Sequence, residues 1–555
     1  MKKHKLICLL LVFAMVVSML TGCGKKDETP TDGKGDAQTS DDANKDSGKT
    51  SGGEKVVTMA MTSDWDTLMP MNTTSSHADI VNENMFDRLI VINRDGTFEP
   101  RLAESWDIND ASDKITYHLN PNAKWHDGEP VTAADVVFTC QLASDPEANL
   151  ARKTRMLNYA GTDETGTELS ENSIAVKAID EHTVEFTLKQ PMDPLPIFAL
   201  MDRDTFILPE HLLKDIPMSE IKTADFWQHP VGSGPMIFDS KVDGERIEFK
   251  VNKDYHLGAP NFDRFIIRKM PASNLMAGLM SGEIDLVAGG ASGNIPLADW
   301  EAVQAMDNVS SESLSSFGYQ YLVCNTTKDY LPKEIRQAIN LAINRDVIIN
   351  QLMKGEGVAA CSPLPPDHLY YDENLKVEYD PEKAAQMVKD AGWDESRTLQ
   401  FLVPIGNEVR EKSAPLIQQD LAKIGIKTQI VTQDFPTHLD AARDGKFDLC
   451  LMGSAGSIDP DESTGNLKVG ALNNFSQTTD KTYSEYSAKG REGLNFEERK
   501  PWYDKYNEYI YDQCGFIWLY FQNNLFAYSN RMSGIPSQTT DFEINKQPWK
   551  WQVND

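Results

Sequence analysis

The stretch from residue 399 to residue 452 changes its hydrophobic period repeatedly, and that alternation limits the fold more than any other feature. Leu399 to Val403 is an apolar run with strand character. Val409 to Ile424 reads as a helix, with Ile417, Leu421 and Ile424 on one face and Gly425 as its stop. Ile426 to Thr432 alternates apolar and polar residues, as a half-buried strand does. A short helix follows Pro436, and Phe447 to Met452 is a further strand with Phe447, Leu449 and Leu451 on one side. This order is a βαβαβ unit, whose crossovers build the parallel sheet of an α/β domain.

Two other stretches agree with that class. Phe265 to Ile267 reads as a buried strand, Ser273 to Met280 as a helix stopped at Gly282, and Ile284 to Val287 as a second strand ended by Ala288, Gly289 and Gly290. Pro381 to Ala391 reads as a helix with Asp380 as N-cap, Gly392 as stop, and Ala384, Val388 and Ala391 on one face. A chain of 555 residues is too long for one core, so two or more domains are expected. Its net charge of −30 gains nothing from counterion release, which excludes nucleic acid as the main partner.

The N-terminus carries its own signature. Lys2, Lys3 and Lys5 precede an apolar run from Leu6 to Leu20, which is shorter than the roughly 20 residues that span a bilayer. Leu20-Thr21-Gly22-Cys23 resembles a bacterial lipobox, in which the cysteine takes a diacylglycerol and becomes the new N-terminus. Residues 1–22 are therefore expected to be a lipoprotein signal peptide. Residues 23–54, rich in Gly, Ser, Thr, Asp and Lys, are expected to be a flexible tether. Structured sequence starts near Val56. Cys140, Cys324, Cys361, Cys450 and Cys514 remain in the body; their wide spacing excludes a zinc knuckle or CxxC motif. Most are expected to be buried, at least one is unpaired, and one disulfide among them stays open.

The motifs of several enzyme classes are absent: HExxH, GxSxG, GxGxxG after a strand, and an EF-hand loop. His118 and His126 flank Trp125 without a matching partner and read as satisfied histidines, not metal ligands. Trp502, Tyr503, Tyr506, Tyr509 and Tyr511 recur at helical spacing and read as packing, with a sugar-stacking face as the sharper alternative. Ligands of open α/β sheets bind at the carboxyl ends of strands. The loop there is Gly453-Ser454-Ala455-Gly456-Ser457-Ile458-Asp459-Pro460, whose small residues expose backbone and whose Asp459 offers a carboxylate. An ordinary strand-to-helix turn is the plainer reading of the same residues.

Several blocks together resemble the peptide/nickel class of bacterial extracellular solute-binding proteins, family 5. Asn84 to Leu89 and Phe98 to Trp106 form the first, and Trp125 to Val136 the second. Gly232-Ser233-Gly234-Pro235 with Asn252 to Tyr255 is the third, and Gly282 to Asp285 the fourth. Ile335 to Arg345 is the fifth, and Asp380 to Ala384 with Ala391-Gly392-Trp393 the sixth. The resemblance covers about residues 56 to 530.

It implies an α/β, two-lobed fold like that of periplasmic binding proteins, with an extra inserted domain. Lobe I would be discontinuous (55–73, 229–312 and 521–555), the inserted domain 74–228, and lobe II 313–520. It further implies a non-enzymatic, monomeric lipoprotein without cofactor or metal. Such a protein traps a solute, most simply a peptide, by hinge closure and passes it to an ABC permease. Its place would be the outer face of the cytoplasmic membrane, extracellular or periplasmic by cell type. Oligosaccharide or metal-chelate receptors are the alternative within binding proteins, and a surface hydrolase or adhesin the alternative of another class. Expected cleft residues are Thr74, Ser75, Ser76 and His77 in a loop after the first strand, Gly232, Ser233 and Gly234 at a crossover, Tyr319 and Tyr321 near the hinge, and Ser454, Ala455, Gly456, Ser457 and Asp459. One departure stands out. Peptide binders of the family follow this last strand with Gly-Trp and then an Asp that binds the peptide ammonium. Here Gly453 is followed by Ser454, and the Asp position falls near Gly456 or Ser457, leaving Asp459 as the replacement.

Overall fold

The computed structural model describes residues 53–554 except 74, 153–155, 163–173, 466 and 536–545. The lipidation site Cys23 lies outside the described residues, as do residues 23–52 of the expected tether. Among the described residues, no helix is long and apolar enough to cross a membrane.

Two large sheets organise residues 54–555. The first has seven strands, in the spatial order Val309–Leu314, Asn524–Ser529, Leu286–Val287, Val56–Met61, Arg264–Lys269, Arg246–Val251 and Met236–Val242. The first strand of the chain thus sits at its centre, parallel to Leu286–Val287 on one side and Arg264–Lys269 on the other. The second sheet has six strands, in the order Gly357–Ala359, Phe516–Gln522, Tyr319–Cys324, Leu449–Ser454, Thr398–Pro404 and Lys427–Gln433. Its last three strands are parallel neighbours and are joined by the helices Glu408–Lys423 and Phe435–Arg443. That is the βαβαβ unit expected from the hydrophobic period. Asn407 and Asp434 cap the two helices by accepting from the backbone N–H of Arg410 and Thr437. A smaller antiparallel sheet contains Ala103–Ile108, Lys114–Leu119, Thr183–Thr187 and Val176–Ala178.

The two large sheets define two lobes. Apolar side chains cover both faces of the six-stranded sheet, Leu322, Leu451 and Ile417 on one side and Val323, Met452 and Ile510 on the other. A single core joins the seven-stranded sheet (Val57, Phe265) to the small sheet (Tyr117, Phe186) through Ile80 and Met85 of the helix Ser76–Met85. The chain passes between the large sheets at two neighbouring places, Ser315 to Gly318 and Asn523. Glu356 braces them, accepting from Trp300 Nε1 at 2.7 Å, from Asn523 Nδ2 at 3.3 Å and from Ser313 Oγ. The lobes are closed on each other: Phe317, Tyr370 and Ile458 share the lobe I core, and Arg94 pairs with Asp367 across the gap at 2.6 Å.

Local details correct three expectations. Ser76 and His77 lie inside the helix Ser76–Met85 with Ser75 as its N-cap residue, so the segment is a helix start and not a loop. Ala391 is exposed at the C-cap of Pro381–Asp390, because the buried stripe of that helix ends at Val388. The last strand of the βαβαβ unit is Leu449–Ser454, two residues beyond the expected start, with Phe447 buried just ahead of it. All five body cysteines are free and buried.

Candidate binding site between the lobes

The carboxyl ends of the three parallel strands share one edge of the six-stranded sheet with the start of Tyr319–Cys324 and the end of Phe516–Gln522. Both interlobe passages leave from this edge, so it faces lobe I. The loop after Leu449–Ser454 turns here. Ser454 still pairs with Tyr319, Ala455 is exposed, and Gly456 packs against the hinge segment. A Cβ at Gly456 would stand 2.2 Å from the Phe317 carbonyl oxygen, so only glycine permits this approach. The Ser457 carbonyl oxygen accepts from His368 Nε2 at 3.0 Å, and Ser457 Oγ accepts from the Asp459 N–H at 3.2 Å. Burial pulls His368 down to about 4, so it is neutral at physiological pH and donates through Nε2.

Asp459 is 6% exposed and pairs with Arg499 at 2.6 Å. Arg499, wholly buried, also donates to the Gly490 carbonyl oxygen, the Tyr370 and Tyr503 hydroxyls, and lies 3.6 Å from Asp193. Asp193 caps the helix Pro194–Asp204 by accepting from the Leu195 N–H at 2.7 Å. Burial pushes Asp459 up to about 6 against the pull of Arg499, and Asp459 in turn holds the guanidinium firmly charged. The charge of Asp459, expected as the replacement for the ammonium anchor, is thus matched within the protein by Arg499. Beside it, Asp461 accepts from Arg491 Nε at 2.9 Å and from Ser487 Oγ at 2.9 Å, and Glu462 binds Arg203 of the facing helix, Nη1 to Oε2 at 2.9 Å. Leu157, Met192, Pro196 and Leu200 face these acids across a cavity of about 220 Å³.

The other expected cleft residues are distributed unevenly. Gly232, Ser233 and Gly234 are buried and engaged with the protein itself. Ser233 Oγ accepts from the Asp87 N–H, the Gly234 N–H donates to the Met85 carbonyl oxygen at 2.7 Å, and a Cβ at Gly232 would stand 1.8 Å from that oxygen. The segment packs on the end of the helix Ser76–Met85, where its polar groups are engaged within the protein. Tyr319 and Tyr321, both 2% exposed, pack with Trp518 in the core beneath the edge; Tyr319 donates to the Ser463 carbonyl oxygen. They support the loop without reaching its surface. Ser75 is half-buried, Ser76 exposed and His77 half-buried, and no hydrogen bond or ion pair ties them to residues 453–459. Thr74 lies outside the described residues. Sequence reasoning missed Arg499, Arg203 and Asp193. Only Asp193 carried a signal, the cap-then-proline pattern of Asp193-Pro194.

Two lobes hinged by adjacent passages and closed over a loop-lined crevice at strand ends define a two-lobed binding protein of the periplasmic type. The sequence matches the model of bacterial extracellular solute-binding proteins, family 5 Middle, over residues 97–474, and the chain belongs to that family. Its members bind solutes and are not enzymes. The chain is 32% identical over 432 residues to di/tripeptide-binding protein 1 of Pseudomonas aeruginosa, covering 74% of this chain and 79% of that one. It is 31% identical over 405 residues to a dipeptide-binding protein of Pseudomonas aeruginosa, covering 70% and 74%. Its fold is shared with the ABC transporter substrate-binding protein CtaP of Listeria monocytogenes, at TM-score 0.80 and 24% identity over 90% of this chain and all of that one.

Proposed function

We propose that the protein captures a peptide between its lobes and delivers it to an ABC permease, held at the outer face of the cytoplasmic membrane by a lipid on Cys23. The observation that carries the peptide reading is the identity, over most of both chains, with a protein named for di- and tripeptides. The geometry supports it: Leu449–Ser454 runs out at Ser454 into the interlobe crevice with Ala455 exposed, where an extended backbone can lie alongside. The division into a discontinuous lobe I (55–73, 229–312, 521–555), an inserted domain (74–228) and lobe II (313–520) fits the grouping of strands.

Thermal unfolding of the protein from residue 51 onward, against panels of peptides, oligosaccharides and metal chelates, tests this reading. A peptide at about 100 times its Kd adds about 2.7 kcal/mol and raises Tm visibly. No rise with any peptide, together with a rise for a sugar or chelate, would sink it. The full chain made in its host should carry a diacylglycerol on Cys23, read as added mass on the N-terminal peptide; a free thiol there rejects the anchor.

A further inference from the structure

Cys450 and Met452 stand two residues apart on the strand Leu449–Ser454, so their side chains leave the same face of the six-stranded sheet. The helix Phe435–Arg443 covers that face and lays His438 against them. His438 Nε2 lies 3.3 Å from Cys450 Sγ and 3.2 Å from Met452 Sδ. A thiol, a thioether and an imidazole nitrogen thus converge on one point. All three side chains are buried, and Tyr321, Leu402 and Ala442 share their core. Cys361 and Cys514, by contrast, touch oxygen: the Tyr371 hydroxyl at 3.8 Å and the Tyr511 carbonyl oxygen at 3.0 Å.

The imidazole has a lone pair to offer at small cost. The Leu451 carbonyl oxygen lies 2.9 Å from Nε2 and can only accept, so Nε2 carries the ring proton. Among the described residues nothing partners Nδ1. Moving the proton to Nδ1 gives up one hydrogen bond and turns the Nε2 lone pair toward the two sulfurs.

We infer that Cys450, His438 and Met452 form a binding site for a soft monovalent metal ion, copper(I), beneath the strand that ends at the crevice. The site is separate from the solute crevice, and the inference does not rest on the peptide reading. Donor chemistry selects the ion: sulfur ligands favour soft ions, and imidazole suits copper as well. Among the described residues no group of three His, Cys, Asp or Glu side chains could hold a metal, so a harder ion lacks the donors it needs. Charge selects it too. On binding, the thiol proton leaves to solvent and copper stays monovalent, so thiolate and ion together are neutral. A divalent ion would leave a net positive charge in this apolar core, near the Arg410 cation that acts on both Cys450 and His438. A three-coordinate centre, with bonds of about 2.0 Å to nitrogen and about 2.3 Å to sulfur, sets those atoms about 3.7 Å apart, so the donors need part by only about half an ångström. The first turn of the covering helix, Phe435 to Thr437, is exposed, so its movement alone opens a way in.

Anaerobic titration of the protein with copper(I), in competition with the coloured chelator bicinchoninate, tests the site. The unmodified protein should withdraw one equivalent of copper(I) from the chelator and gain a thiolate-to-copper charge-transfer band in the ultraviolet. Met452→Leu keeps every thiol and the core volume, so it folds and separates this site from adventitious binding to cysteine. Met452→Leu and Cys450→Ser should each bind copper(I) at least about 10-fold more weakly, since losing even an outer-shell partner costs a metal site that much. Copper(I) should raise the Tm of the unmodified protein and leave that of Cys450→Ser unchanged. Zinc at the same concentration should raise neither. Failure to withdraw copper(I), an affinity unchanged in either variant, or equal stabilisation by zinc overturns the inference.

Discussion

At the scale of single residues, the pairing of Asp459 with Arg499 decides what the crevice loop can do. Both groups are buried, and Arg499 lies 40 residues further along the chain, on the helix Phe496–Gln513. Removing one member of such a pair strands the other in low dielectric, which costs about 3–5 kcal/mol. Asp459→Asn should therefore lower the urea midpoint strongly, and adding Arg499→Met should recover part of the loss; additive losses would show that the pair is not coupled. The sequence placed a carboxylate in the loop after Leu449–Ser454. Its partner was invisible because nothing near residue 459 specifies which distant helix packs over it.

At the scale of elements, hydrophobic period was informative wherever a strand or helix has one solvated face. The helix Glu408–Lys423 and the strand Lys427–Gln433 fall within a residue or two of their expected ends. The strand Phe516–Gln522 gives no such signal, because six of its seven residues are buried and a continuous apolar run carries no period. The antiparallel insertion of Tyr319–Cys324 and Phe516–Gln522 beside the parallel unit was hidden for the same reason. Loop contacts were also illegible. Gly456 gave no sign that it meets the Phe317 backbone of the hinge passage. Gly456→Ala should force the loop away from that passage, cost roughly 1–3 kcal/mol of stability and weaken ligand binding. The exposed neighbour tested as Ala455→Ser should leave stability unchanged, and equal melting of the two variants would contradict the contact.

At the scale of the whole molecule, buried histidines set the acid limit. Burial pulls His126, His368 and His438 down to about 4, so the unfolded chain takes up their protons first as pH falls. Their contribution is complete above about pH 6.5 and is lost between there and about pH 4. For His368 the loss approaches roughly 3 kcal/mol at the acid end. Asp459, pushed up to about 6, works in the opposite sense: the folded state binds its proton more tightly, so its contribution grows as pH falls from about 6 toward 4. With three histidines against Asp459, Tm should fall from pH 7.5 to pH 4.5, and His368→Gln should flatten the slope; parallel slopes would refute the assignment. A different consequence follows from the seven-stranded sheet. Asn524–Ser529 lies between Val309–Leu314 and Leu286–Val287, so a strand synthesised near the end of the chain fills a gap in the lobe begun at Val56. That lobe cannot close while the chain is still emerging from the ribosome. Such late closure keeps the polypeptide threadable, and export through a narrow channel requires a chain that has not yet folded.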